Sequence, residues 1–228
     1  PSPASAINEG ARLARGKQLC VIVDGARIVT PGLISAFRLG ARLHDQAIVA
    51  TLAWHLGPQP QQSALEAGYD QAEEDRLLAA IDWRRQGYRL FENSVFAPSS
   101  QAGFFGEIAE SNALLLNRNL FDRLGGYDER FQEPGGGLVN LDFFKRAIED
   151  SSTQLVVLLD EGSFHQIHSG ATTGGSGSPA PTWEHLQEEY ASLRGKPWSI
   201  DIGQPLYLGT GHRASLSHLQ RSLQMIGD

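Results

Sequence analysis

The sequence predicts an α/β fold in which a sheet of buried strands is flanked by helices. Three observations predict it. Four apolar runs, at 19–23, 47–54, 113–116 and 155–159, are each bounded by turn or polar residues, as strands of an interior sheet are. Between them lie segments with apolar residues at helical spacing, Leu141, Phe144, Ala147 and Ile148 being one such set. A length of 228 residues with 41% hydrophobic content is enough for one packed core.

Taken in order, the run at 19–23 follows Gly16-Lys17 and stops at Asp24-Gly25. It reads as a strand buried on both faces, with Asp24 at the carboxyl edge, where open α/β sheets bind ligands. Thr30-Pro31 supplies an N-cap and a first-turn proline for a helix whose inward stripe is Leu33, Ile34, Phe37 and Ala41. A second strand follows at 47–54. Residues 57–62, Gly-Pro-Gln-Pro-Gln-Gln, break the pattern, and 70–86 predicts a helix with Leu77, Leu78 and Ile81 inward, closed by Gly87. The stretch 88–106 is irregular and aromatic. Then come a strand at 113–116, a short helix at 119–124, a longer helix at 138–148 and a last strong strand at 155–159. Residues 170–181 are rich in Gly, Ser, Thr and Pro, which predicts a mobile linker or a lid. Helices are expected at 182–193 and 214–225. The division that follows is a main domain at 1–175 and a loop with a helical tail at 176–228.

Composition narrows the function. The formal charge of −7 comes without a basic tract, which argues against nucleic acid or an anionic membrane as the main partner. A negatively charged substrate would need local help, and a divalent cation is the usual source. The lone cysteine, Cys20, excludes an intramolecular disulfide and points to the cytoplasm. With no run of about 18 apolar residues and no signal-peptide pattern, no transmembrane segment is expected.

Several polar residues stand where chemistry could occur. Asp24 ends a strand in Asp-Gly, which is either a simple turn or a ligand position at the sheet edge. His165 and His168 lie three apart; on a strand they would face opposite sides, which argues against a joint zinc site. Glu110-Ser111-Asn112 enters a strand and offers hydrogen-bonding groups suited to sugar hydroxyls, or else turn chemistry. Asp142 sits in the first turn of a helix, where a carboxylate also stabilises the helix dipole. Trp54 and Trp83 read as core, and Phe104-Phe105, between glycines, as the better pair for stacking on a sugar.

Two stretches together resemble GT-A glycosyltransferases of the family 2 type. The first runs from Asn8-Glu-Gly through the strand to Asp24-Gly-Ala-Arg27 and Thr30-Pro-Gly32. The second runs from Glu110 through Leu124-Gly-Gly-Tyr-Asp-Glu-Arg-Phe131, then Gly135 to Gly137 and Asn140-Leu-Asp142-Phe-Phe-Lys-Arg146. The resemblance covers roughly 5–175 and implies a Rossmann-like mixed sheet flanked by helices. It also implies that the βαβ unit opening such a domain is missing ahead of Asn8, so that the chain, starting at Pro1, begins inside a longer product. The implied activity is metal-assisted transfer of a sugar from a nucleotide-diphosphate sugar to a glycan or other hydroxyl acceptor, in surface glycan or glycoconjugate assembly.

By the same resemblance, Asp24, with Asn8 and Arg27, would hold the donor, and Asp24 with His168, or His165 in its place, would hold Mn or Mg. Asn140 and Asp142 would stand at the reacting centre, and Glu110, Ser111, Asn112 and Glu133 would line the substrate pocket. The chain departs from the family pattern at Ala26, which takes the second acidic position of the Asp-x-Asp motif, and at Val139-Asn140, where an acidic pair would supply the base. Asp142 or Glu133 could serve as base instead. The pattern is also similar to retaining GT-A sequences that carry Asn at this point. Two other classes stay open: a catalytically inactive GT-A-like module that binds glycan or protein, and a metal-dependent hydrolase using Asp24, His165 and His168. Homo-oligomerisation is left open.

Overall fold

The computed structural model describes residues 2–22, 26–168 and 181–227. Helix α1 (Ala4–Leu13) precedes strands β1 (Gln18–Ile22) and β2 (Arg27–Val29), and helix α2 (Leu33–Gly40) leads to the long strand β3 (Ala47–Leu56). Helices α3 (Gln61–Glu66) and α4 (Gln71–Ala80) follow, then strand β4 (Ser94–Phe96), strand β5 (Ala113–Asn117) and helices α5 (Arg118–Arg123) and α6 (Val139–Glu149). Strand β6 (Gln154–His165), helix α7 (Trp183–Arg194), strand β7 (Leu206–Leu208) and helix α8 (Leu216–Gly227) complete the chain.

The seven strands form one mixed, open sheet in the order β1-β5-β3-β6-β2, with β4 added to β3 and β7 to β6. β6 runs parallel to β3 and β7, and every other pair is antiparallel. β6 serves two neighbours in turn, β7 at Val156–Leu158 and β2 at Ser163–His165. The switch coincides with a register shift against β3 between Thr51 and Leu52. Such an irregularity lets one strand re-aim its side chains without leaving the sheet.

Alternation along β3 builds two cores. Ile48, Ala50, Leu52 and Trp54 face the larger one, shared with Phe143 and Phe144 of α6 and Tyr190 of α7. Val49 and Ala47 face the smaller one under α2, with Leu33, Phe37, Leu115 and Val156. Trp54 is fully buried and meets Phe91 edge-on at 5.0 Å and Phe164 in a stack at 5.9 Å. Aromatic packing of this kind adds about 0.5–1.5 kcal/mol per pair beyond area burial.

Several elements differ from the sequence expectation. β1 is not buried on both faces: it pairs with β5 alone among the described residues, and Cys20 and Ile22 are exposed. Thr30 does not cap α2, because its hydroxyl donates to the Glu161 carboxylate; Gly32 occupies the N-cap position, and Ile34 points to solvent. α4 is shorter than expected, ending before Asp82, which adopts φ +46°. β6 runs well past 159 because its polar residues are satisfied internally. Asp160 accepts from Gly211 N at 2.8 Å, His212 N at 3.0 Å and Ser215 Oγ at 2.9 Å, and so fastens the segment before α8 onto the sheet. Residues after 181 share the main core, through Tyr190, Ile200 and the partly buried Leu186, Trp198 and Leu219.

Candidate functional site

The carboxyl end of β3 and β6 gathers most of the polar residues that the sequence singled out. β2 runs antiparallel to β6, so Arg27 lies opposite His165. Parallel pairing sets His55 of β3 opposite His165 on the other side. Glu110 and Asn112 reach the same edge because the segment before β5 is stitched to β3 by Ser111. Its Oγ donates to Thr51 O at 2.9 Å and accepts from Thr51 N at 3.2 Å. Ser111 is therefore buried and structural, and it aims its two neighbours.

Glu110 is enclosed by polar partners. Asn112 Nδ2 donates to Glu110 Oε1 at 3.2 Å, and Ser99 and Asn140 also interact with the carboxylate. Burial pushes the Glu110 carboxyl above the usual range, against the opposing pull of the Arg27 charge and of these hydrogen bonds. Asn140, in the first turn of α6, brings a second feature. Its Oδ1 is buried and has no hydrogen-bond partner among the described residues. Buried acceptors are nearly always satisfied in folded proteins, so this oxygen can still accept from a donor.

The histidines form an adjoining group. β6 ends at His165, so the chain is no longer a strand at His168, and the expectation that the two rings face opposite sides fails. His168 Nε2 lies 3.1 Å from His165 Nε2, with ring centroids 4.9 Å apart. Gln61, fully buried, holds His165 from behind: its Nε2 donates to His165 O at 3.2 Å and its Oε1 faces His165 Nδ1. Gln61 N donates to His55 Nδ1 at 2.9 Å. His55 is pushed down to about 4 by burial, with smaller contributions from His165 and Arg27. The loop carrying His168 is pinned by Glu74, whose carboxylate accepts from Ile167 N at 2.7 Å. Among the described residues no cluster of three or more His, Cys, Asp or Glu side chains is arranged to hold a metal.

No protein-family model and no curated protein matches this chain.

Other residues singled out in the sequence go elsewhere. Asp142 faces away from Asn140 and is fully buried, bonded to Arg146 Nε at 2.8 Å and to Arg194 Nε at 2.6 Å. Asn8 brackets Tyr127, donating to its carbonyl and accepting from its amide, both at 2.9 Å. This contact needs Gly126, where a Cβ would stand 2.5 Å from Asn8 Oδ1. Glu133 Oε1 meets His185 Nε2 at 2.8 Å on the far side of the glycine loop. Phe104 is fully buried against Trp54, so it is core and not a stacking platform. Asp24 and most of the proposed lid lie outside the described residues.

Gln61, Glu74, His55 and Ser99 were not singled out by sequence reasoning. Gln61 sits in a Pro- and Gln-rich stretch that breaks the helix and strand pattern, and its role depends on a residue 104 positions away. No local pattern signals it. Among the described residues, no helix is long and apolar enough to cross a membrane.

Proposed function

We propose that the chain is a GT-A-type glycosyltransferase domain of the cytoplasm, moving a sugar from a nucleotide-diphosphate donor to a glycan or other hydroxyl acceptor with a divalent metal. One observation carries the reading. Arg27, Glu110 with Asn112, Asn140, and the His165–His168 pair come from four distant segments and gather at the carboxyl edge of one mixed sheet. These are residue types that bind a sugar and an anion.

Glu110 and Asn112 offer an acceptor and a donor to sugar hydroxyls, and the orphan Oδ1 of Asn140 would be satisfied by one. Arg27 supplies positive charge for a phosphate oxygen. Glu110 is the carboxylate that reaches Asn140, and its raised affinity for a proton suits it to receive one from an acceptor hydroxyl. That role replaces Asp142 and Glu133, whose carboxylates are engaged elsewhere. The histidine pair fits a divalent ion by donor type and convergence, and the resemblance adds Asp24 to it. When bound, such an ion would offset the charge of the diphosphate.

The test is nucleotide-sugar turnover by Glu110→Gln. Turnover should fall at least ~100-fold, within the range contributed by a general base, while nucleotide affinity and melting temperature stay near wild type. Unchanged turnover would remove Glu110 from the chemistry. A second reading, an inactive GT-A-like binding module, is favoured by the complete engagement of Asp142 by two arginines. It predicts nucleotide or glycan binding with no turnover in the wild type.

A further inference from the structure

One face of helix α7 grips both ends of the segment that leads into the candidate site. The helix is capped by its own sequence: the Thr182 hydroxyl accepts from His185 N at 3.3 Å at its start, and Gly195, at φ +74°, ends it. Positions 185, 186, 189, 190 and 194 share one face at helical spacing. Tyr190 is buried in the core, while His185 meets Glu133, Glu189 meets the backbone at 132–133, and Arg194 meets Asp142. The segment held in this way needs outside support. Gly135, Gly136 and Gly137 follow one another at φ +75°, +90° and +53°, a conformation that glycine adopts readily and that side chains do not stiffen. The N-cap residue of α6, Leu138, brings no side-chain cap.

Glu189 supplies that support. Its Oε1 accepts from Gln132 N at 2.8 Å and from Glu133 N at 3.2 Å. Its Oε2 lies so close to the loop that a Cβ at Gly137 would stand 2.6 Å from it. That oxygen is buried with no hydrogen-bond partner among the described residues, so the carboxylate is kept here at a cost to stability. Packing alone would be served better by an apolar side chain.

We propose that Glu189 is a positioning residue of the site: it fixes the glycine loop from behind and so sets where Asn140 stands against Glu110. The chain of contacts is short. Glu189 binds residues 132–133, the loop enters α6 at Val139, and Asn140, the next residue, interacts with the Glu110 carboxylate. Arg194 holds Asp142 on the far side of Asn140, so α7 fixes the first turn of α6 from both directions. Releasing the loop end lets that turn shift, and a displacement of about 1 Å at a reacting centre costs on the order of 100-fold in rate. The inference rests on the transferase reading for what Asn140 and Glu110 do, and it adds the residue that keeps them together.

The experiment compares the whole protein with Glu189→Leu, which keeps the volume and removes the acceptor, and with Glu189→Gln, which keeps an acceptor for both amides. Two readouts need no activity: amide hydrogen exchange and the carbon-13 titration of the Glu110 carboxyl. In Glu189→Leu, exchange over residues 132–141 should quicken about 10–100-fold, as loss of charge-assisted hydrogen bonds predicts. The Glu110 pKa, raised by burial and held back by the Arg27 charge and by contacts that include Asn140, should rise further. With UDP-, GDP- and dTDP-sugars, kcat should fall about 10–100-fold while KM stays within ~2-fold, the signature of misplaced chemistry and not of lost binding. Glu189→Gln should restore most of each change. Gly137→Ala, which drives a Cβ toward Glu189 Oε2 from the loop side, should act in the same direction and takes the place of Glu189→Leu if that variant does not fold. Exchange and Glu110 titration equal to wild type in the folded variant overturn the proposal, as does an unchanged kcat in an active enzyme. Faster exchange and a shifted Glu110 in a protein that turns over no nucleotide sugar would refute the transferase reading and leave the Glu189 clasp standing.

Discussion

Asp142→Ala separates structure from chemistry most cleanly. The Asp142 carboxylate is fully buried and accepts three bonds: from Arg146 Nε at 2.8 Å, Arg194 Nε at 2.6 Å and Arg194 Nη2 at 2.8 Å. Charged hydrogen bonds of this kind are worth about 1.5–3 kcal/mol each when one partner is deleted. Simple addition overstates the loss, because both arginines keep other partners. Arg146 still donates to Leu124 O and Gly126 O, and Arg194 still pairs with Asp128 at 2.9 Å. Breaking a buried ion pair by removing one side typically costs about 3–5 kcal/mol, and that is the expected loss in unfolding free energy. For a chain of this size it corresponds to a fall in Tm of roughly 10 °C. Urea unfolding followed by tryptophan fluorescence measures it. Below the unfolding transition the variant should retain nucleotide binding. A loss under ~1 kcal/mol together with abolished turnover would refute the structural assignment and return Asp142 to the reacting centre.

Further outcomes follow from packing and titration. At Gly162 an added Cβ would stand 2.8 Å from Trp54 Nε1 and 2.9 Å from Trp54 Cδ1, inside the aromatic cluster. Gly162→Ala should therefore destabilise by about 1–3 kcal/mol in urea unfolding, as overpacking does, and a neutral effect would mean that the cluster is loosely packed. His218 of α8 lies 4.6 Å from Trp54, edge to face, and its Nε2 donates to Phe91 O at 2.8 Å. Burial holds its pKa below the ordinary value, with Arg221 acting in the same direction and the Phe91 bond opposing. The folded state thus prefers the neutral ring, and its stabilisation is full above the unfolded pKa near 6.5 and lost as pH falls below it. Unfolding free energy should drop between pH 7.5 and 5, and less steeply in His218→Phe; equal slopes would show that another group is responsible.

Much of the sheet was legible because β3, β5 and the first half of β6 are continuous apolar runs. β2, β4 and β7 have three residues each, too few for any periodicity to register. The second half of β6 hid behind Asp160-Glu161-Gly-Ser, a polar sequence at which the apolar run of 155–159 stops. It is a strand because Asp160 binds the 210–215 segment and Glu161 accepts from Thr30 Oγ1 and Tyr88 OH. β1 shows the converse: an apolar run alone does not reveal that its strand stands at a sheet edge.

The site was legible in its types and less so in its partners. Glu110, Asn112, Asn140 and Arg27 were singled out and gather at one edge. Asn8 and Asp142 were singled out too, yet their side chains are used to lock a turn and to pair two arginines. Local sequence cannot separate these cases, because the deciding contacts span 119 residues for Asn8 and 52 for Asp142. Gln61 was passed over for the same reason. A buried amide that orients a histidine looks, in sequence, like any glutamine in a proline-rich loop.

The most direct measurement is calorimetric titration of the protein with UDP-, GDP- and dTDP-linked nucleotides, with and without Mn or Co. The account predicts metal-dependent binding of one of them, lost on replacing Arg27 and weakened on replacing Asn140. No nucleotide binding by folded protein under any metal condition would contradict it.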